Sequence, residues 1–190
     1  PDPVDAGVNY KRPKNEDVIG TLISALGSQD IFIKEFQAII AERLLSSQTS
    51  YQQELKVLGL LKKRFGDHAL QNCDVMMKDI TDSKRLDGVL GKRLQAQSTP
   101  DEHHPSFHSK ILSRLFWPSM SKEPFNVPAP VVALQKQYEV GFERLKNSRK
   151  LNWIDNLGTA NVELEMEDRS VSIECKTYEA AVIYAFSSDG

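Results

Sequence analysis

Apolar and polar residues alternate between Ala160 and Lys176, and this pattern sets the plan of the chain. Ala160, Val162, Leu164 and Met166 are interleaved with Asn161, Glu163, Glu165 and Glu167. Side chains on a strand point to opposite faces with period two, so this run has one apolar and one acidic face. Val171, Ile173 and Cys175 alternate with Ser172, Glu174 and Lys176 in the same way. A loop of Glu167, Asp168, Arg169 and Ser170 predicts a hairpin pairing Met166 with Val171, Leu164 with Ile173 and Val162 with Cys175. That register puts all six side chains on one buried face and leaves Glu163 and Glu165 exposed, with Glu163 opposite Glu174. A hairpin of two strands is marginal alone, so it must pack on helices or pair with further strands.

The rest of the chain supplies mainly helical periods. Val18, Leu22, Ile23 and Leu26 predict a short helix over Asp17–Leu26, ended by Gly27. Ser28 or Asp30 caps a second helix to Leu45 with the stripe Phe32, Phe36, Ile39, Ile40 and Leu44. Ser50 and Gln53 have capping-box spacing before Leu55, Leu58, Leu60, Leu61 and Phe65, and Gly66 closes that helix. A longer helix, with Asp67 as cap, carries Leu70, Cys73, Met76, Met77, Ile80, Leu90 and Leu94. These helices read as a bundle over residues 15–97, after a polar, proline-bearing flexible lead at 1–14. Residues 98–106 have the composition of a linker. A subdomain over 107–176 follows: a β-prone run FHSKILSRLFWP, a helix opened by Pro128 and Pro130 with Val131, Leu134, Tyr138, Phe142 and Leu145 on one face, and the hairpin. Thr177 caps a terminal helix within 177–190. Helices segregated before a small antiparallel sheet define an α+β fold.

Composition narrows the function classes. The 190 residues are 40% hydrophobic and 26% charged, with net charge -2 and pI about 6.1, ordinary for a soluble protein. This balance gives no electrostatic argument for nucleic acid or an anionic membrane. No apolar run approaches a membrane span, and no signal peptide is visible. Cys73 and Cys175 stand far apart without a CxxC, which predicts a reduced, intracellular protein. The chain starts at Pro1 and stops at Gly190 just after an apolar helical pattern, which predicts a fragment of something longer.

No run of residues carries a recognisable catalytic, cofactor or metal motif. His103, His104 and His108 cluster beside Asp101 and Glu102, but a flexible linker offers no fixed geometry or supporting shell for a metal, so they read as a solvated loop. Cys73 sits in an apolar helical stripe and Cys175 on the apolar face of the hairpin; both read as structural rather than catalytic thiols. Glu163, Glu165 and Glu167 form an open acidic face without the pocket that splits carboxylate pKa values. Lys62, Lys63 and Arg64 read as a solvated helix face. Trp117 and Trp153 read as core. There is no phosphate loop, nucleophile elbow or HExxH. The expectation is a scaffold or binding module with no catalytic residue, no cofactor and no metal.

The runs FIKEFQAIIAERLL, ELKVLGLLKKRFG, DVMMKDITDSKRL, ILSRLFWP and RKLNWIDNLGTANVEL, in that order, resemble the cullin homology region from Ile31 to Phe186. The version differs from that of cullins in the common RING ligases, which usually carry a glycine where Ser148 stands. The resemblance implies a non-catalytic scaffold subunit of a multi-subunit RING-type ubiquitin ligase. Its partners would be a RING-finger subunit, the ligase's other subunits and, indirectly, a ubiquitin-conjugating enzyme, with no nucleic acid and no membrane. Family cullins accept a strand of the RING subunit into this sheet. The matching strands here would be Ser109–Ser113, Leu151–Ile154 and the hairpin, with Ile111, Leu112, Trp117, Leu151, Trp153, Val162, Leu164 and Met166 as docking residues. Residues 177–190 would be the first helix of a truncated winged-helix region, and the N-terminal cullin repeats would be missing. A nuclear and cytoplasmic location is implied. The scaffold of an ordinary cullin–RING ligase is the alternative. A thioester-forming ubiquitin transferase using Cys175 and a nucleic-acid binder through the terminal helix rank lower.

Overall fold

The structure, a computed structural model, describes residues 17–46, 50–97 and 105–188. In order these form α1 (Val18–Leu26), α2 (Gln29–Leu45), α3 (Gln52–Phe65), a 3-10 turn (His68–Leu70), α4 (Gln71–Gln97), α5 (Ala129–Leu145), a second 3-10 turn (Asp155–Leu157), β1 (Thr159–Glu165), β2 (Ser170–Lys176) and α6 (Thr177–Ser188). This is the α+β order that the sequence predicts. The chain divides into two compact units between Asp74 and Val75, within the run of α4.

In the first unit the helix ends follow the caps in the sequence. The Asp17 carboxylate accepts the Gly20 N–H at 3.0 Å, and Ser28 Oγ accepts that of Ile31 at 3.2 Å. Gly27 stands at φ 86°, a left-handed conformation that a side chain would strain. The buried arc of α2 is Ile33, Ile40, Ala41 and Leu44, which corrects the expected stripe. Ile39 is 54% exposed. At 3.6 residues per turn it lies about 120° from the line through Ile33, Ile40 and Leu44. The expected capping box does not form either. Tyr51 takes the N-cap position of α3 without a side-chain cap; its ring is buried and its hydroxyl donates to Leu44 O at 3.1 Å. Burying a tyrosine with its hydroxyl satisfied outweighs a surface cap of about 1 kcal/mol. Leu58 and Leu61 are buried while Leu55 and Leu60 face water.

The basic triplet is more than a solvated face. Lys62 Nζ lies 2.5 Å from Asp74 Oδ1. Arg64 clasps both oxygens of Asp17 at 2.7 Å, which ties α3 to the cap of α1, while its guanidinium lies 5.8 Å from the Phe65 ring centre.

In the second unit Leu90, Tyr138 and Phe142 form a core with Leu86, Leu94, Phe107, Ile111, Leu145, Leu151 and Trp153 packed around it. Phe107, Tyr138 and Trp153 meet edge to face, their centroids 5.7 to 5.9 Å apart, the arrangement that ring quadrupoles favour.

The run 109–113 is not a strand of the sheet, contrary to expectation. It lies extended along α4, and three side chains of that helix take its N–H groups. Ser109 N–H donates to Asp87 Oδ1 (2.9 Å), Ile111 N–H to Ser83 Oγ (2.7 Å) and Ser113 N–H to Asp79 Oδ2 (2.7 Å). Alternate residues of an extended chain repeat about every 6.6–6.8 Å, and every fourth residue of a helix about every 6.0 Å. The two ladders therefore match when they run antiparallel. Residues 151–154 form no strand either; Leu151 and Trp153 turn to the core and Asn152 to water. Among the described residues the sheet is β1 and β2 alone.

The hairpin register is shifted two residues from the predicted one. Leu164 faces Val171, Val162 faces Ile173 and Ala160 faces Cys175. Met166 N–H donates to Arg169 O at 2.8 Å, so the reversal falls on the polar pair Glu167 and Asp168, residues suited to a turn. A two-residue shift keeps every side chain on its expected face. That face is half-buried rather than core, however. Met166, at the turn, is 48% exposed and Ile173 41%. Two strands and one short helix leave too little material to close over it. At the other end Thr177 Oγ1 donates to Asp155 O, and Glu179 Oε2 accepts the Lys176 N–H at 2.8 Å, which fixes the start of α6.

Candidate functional site

The eight residues singled out as docking positions fall into two groups. Ile111, Leu151 and Trp153 converge in the core of the second unit. Trp117 is 7% exposed and its Nε1–H donates to Asp79 Oδ2 at 2.7 Å, while Trp153 Nε1–H donates to Glu139 Oε1 at 2.5 Å. Leu112 is half-buried. The other three, Val162, Leu164 and Met166, share the half-open face of the hairpin with Val171, Ile173 and Cys175. Ile111, Leu151 and Trp153 thus belong to the core of the second unit, and the second group forms the open apolar face of the hairpin.

Sequence reasoning missed the α4 residues that hold the extended 109–113 segment. Asp79 accepts from the Ser113 N–H, the Ser113 hydroxyl (2.9 Å) and the Trp117 indole. Asp87 accepts from Ser109 N–H, from the Tyr138 hydroxyl at 3.1 Å, and pairs with His108 Nδ1 at 2.7 Å. Ser83 both accepts from and donates to the backbone of Ile111. Asp79, Ser83 and Asp87 stand four residues apart, on one helix face. That stripe was readable as a polar line on an otherwise amphipathic helix.

The back of the hairpin is acidic. Glu163, Glu165 and Glu174 are exposed. In the observed register Glu163 faces Ser172 and Glu174 faces Asn161, so the like-charge pair of the predicted register is not formed. The acidic face therefore carries no directly opposed repulsion.

Nothing in the described residues assembles a reactive centre from the candidates. His103 and His104 lie outside those residues. His108 is tied to Asp87 and to Ser106 Oγ (3.0 Å) rather than standing free in a solvated loop. Among the described residues no group of three His, Cys, Asp or Glu could hold a metal ion, and no helix is long and apolar enough to cross a membrane. Burial, with the neighbouring Asp74 adding to it, pushes the Cys73 thiol up to about 11, the opposite of what an activated thiolate needs. Cys175 is half-buried, its Sγ 3.7 Å from Ala160 O.

The stretch that holds α5, the hairpin and α6 is matched, from residue 111 to 190, by the cullin alpha+beta domain family. Residues 111–190 therefore belong to the cullin alpha+beta domain family. The chain is 35% identical over 191 residues to anaphase-promoting complex subunit 2 from Homo sapiens, across 98% of this chain and 23% of that protein. It is 38% identical over 166 residues to the subunit of that name from Schizosaccharomyces pombe, across 86% of this chain and 23% of the relative. Cullin-1 from Oryza sativa is 25% identical over 169 residues, 87% of this chain and 22% of that protein. The chain thus spans about a quarter of the length of these relatives.

Proposed function

We propose that this chain is a scaffold segment of an anaphase-promoting-complex ubiquitin ligase, without catalysis of its own. It would hold the RING-finger subunit that positions a ubiquitin-charged conjugating enzyme for the modification of mitotic regulators, beside the other subunits of that complex, in nucleus and cytoplasm. The observation that carries this reading is the 35% identity to anaphase-promoting complex subunit 2 along 98% of the chain. The 25% identity to Cullin-1 makes an ordinary cullin–RING scaffold the second reading.

Docking is by strand addition to the hairpin. A two-stranded sheet has two edges of backbone N–H and C=O groups, and a third strand laid on one would also extend the half-open face of Val162, Leu164 and Ile173. The test is a pull-down of the RING subunit on this chain, with and without the subunit's N-terminal strand. Loss of binding with the strand supports the reading. Equal binding by the RING finger alone would overturn strand addition, and binding to the RING subunits of ordinary cullin ligases instead would favour the second reading.

A further inference from the structure

In the second unit, helices α4 and α5 leave a groove of about 160 Å³ lined by Leu90, Leu94, Val140 and Gly141, with Arg93 on one wall and Arg144 on the other. A space near 150 Å³ is about what one benzene-sized apolar group fills. Gly141 matters to its shape. A Cβ there would come within 2.8 Å of Leu90 Cδ2, so a larger residue would have to push that buried leucine aside at the floor.

Two arginines give this groove its charge. Arg43, Lys62, Arg64 and Arg85 each have a carboxylate partner, whereas Arg93 and Arg144, like the exposed Arg114, Arg149 and Arg169, show none among the described residues. No acidic residue lines the groove. In a chain of net charge -2, two unpaired guanidinium groups flanking an apolar floor make a localised positive site. A guanidinium matches a carboxylate with two parallel N–H donors and is weakly hydrated, which suits it to an interface.

We propose that this groove docks an acidic peptide segment of a partner protein. One apolar side chain would sit on the floor between Leu90 and Val140, and carboxylates on either side of it would be taken by Arg93 and Arg144. Nucleic acid fits less well. The one aromatic ring in the lining, Tyr138, is fully buried, so no base could stack, and two cations are a small phosphate footprint.

The test uses the 190-residue chain and a fluorescein-labelled synthetic peptide with a central leucine flanked by aspartates and glutamates. Two more probes accompany it: the same peptide with glutamine and asparagine in place of the acids, and a single-stranded oligonucleotide. Anisotropy should show binding of the acidic peptide that weakens with salt, and amide shifts should centre on Val140 and Gly141. The double variant Arg93→Glu/Arg144→Glu, both exposed positions, should weaken binding by at least about tenfold and should now prefer a peptide with lysines for acids. Val140→Asp, at a half-exposed position, should also weaken it while the helical circular dichroism is unchanged. Unaltered affinity in the double variant, equal binding of the neutral peptide, or tighter binding of the oligonucleotide would each overturn the proposal.

Discussion

Asp79 shows how much one side chain can organise. Its carboxylate accepts three hydrogen bonds from Ser113 and Trp117, and through them it fixes the end of the 109–113 segment. Asp79→Ala leaves a backbone N–H and an indole N–H in a poorly hydrated place. Each unsatisfied group costs about 1–3 kcal/mol, so the variant should be destabilised by at least about 1 kcal/mol. Urea denaturation checks this, and the Trp117 fluorescence should shift toward that of a wetter indole. Asp79→Asn keeps one acceptor oxygen and should lose less. The two cysteines offer a contrast at the same scale. Cys73 is fully buried with its thiol pushed up to about 11, whereas Cys175 is half-buried at the hairpin end. Alkylation of the native chain at pH 8 should therefore modify Cys175 first and leave Cys73 until the chain unfolds. Mass spectrometry of the digested product gives the order, and early modification of Cys73 would mean that its helix opens readily.

Elements were legible where a single rule decided them and obscure where two competed. Asp17, Gly27 and Pro128 mark helix ends where local sequence says they should be. At α3 a capping box competed with burial of the Tyr51 ring, and burial won. The run 109–113 has residues that suit extended backbone, which predicts a strand; it is extended, but it bonds to α4 side chains, which no strand pattern encodes. The shared apolar face of Val162 and Leu164 was legible from alternation, whereas the degree of its burial depended on how few elements surround the hairpin. Register was not fixed by the alternation, because loops 166–169 and 167–170 keep the same faces. The observed pairing of Ala160 with Cys175 makes the register testable. Ala160→Cys brings two thiols across the ladder at a spacing that a disulfide spans, so mild oxidation should close a bridge that shortens nothing else in the fold. Val162→Cys, opposite Cys175 in the predicted register, should stay reduced. A bridge from position 162 and none from 160 would restore the predicted pairing. In α4, Gly88 is exposed within the helix and a Cβ there would meet nothing within 4 Å. Gly88→Ala should therefore stabilise the chain by about 0.5–1 kcal/mol, read as a rise in melting temperature.

For the whole molecule, ionisable groups bound the pH range in which the fold holds. On the acid side, Glu54 is held low first by its own backbone N–H and then by Arg43, and Asp17 first by Arg64. For carboxylates with lowered values the stabilisation is present above about pH 4 and is lost as pH falls. On the alkaline side the sense reverses. Burial raises Cys73 from its ordinary 9.0 to about 11 in the first unit, and raises Tyr51 there and Tyr138 in the second. These groups are neutral when protonated, so the folded chain holds its protons longer than the unfolded one. Above about pH 9 the unfolded chain releases protons first, and stability must fall as pH rises. Lys110, lowered first by burial and then by Lys84, acts in the opposite direction over the same range, but it is one group against three. The melting temperature should accordingly be level from about pH 5 to 8 and decline from 9 to 10.5. Tyr138→Phe loses the hydroxyl bond to Asp87 and should be less stable at pH 7. Its decline above pH 10 should also be shallower, because one of the raised groups is gone. A melting temperature that rises between pH 8 and 10, or a Tyr138→Phe curve that only runs parallel below the parent, would show that burial of these groups does not govern the alkaline limit.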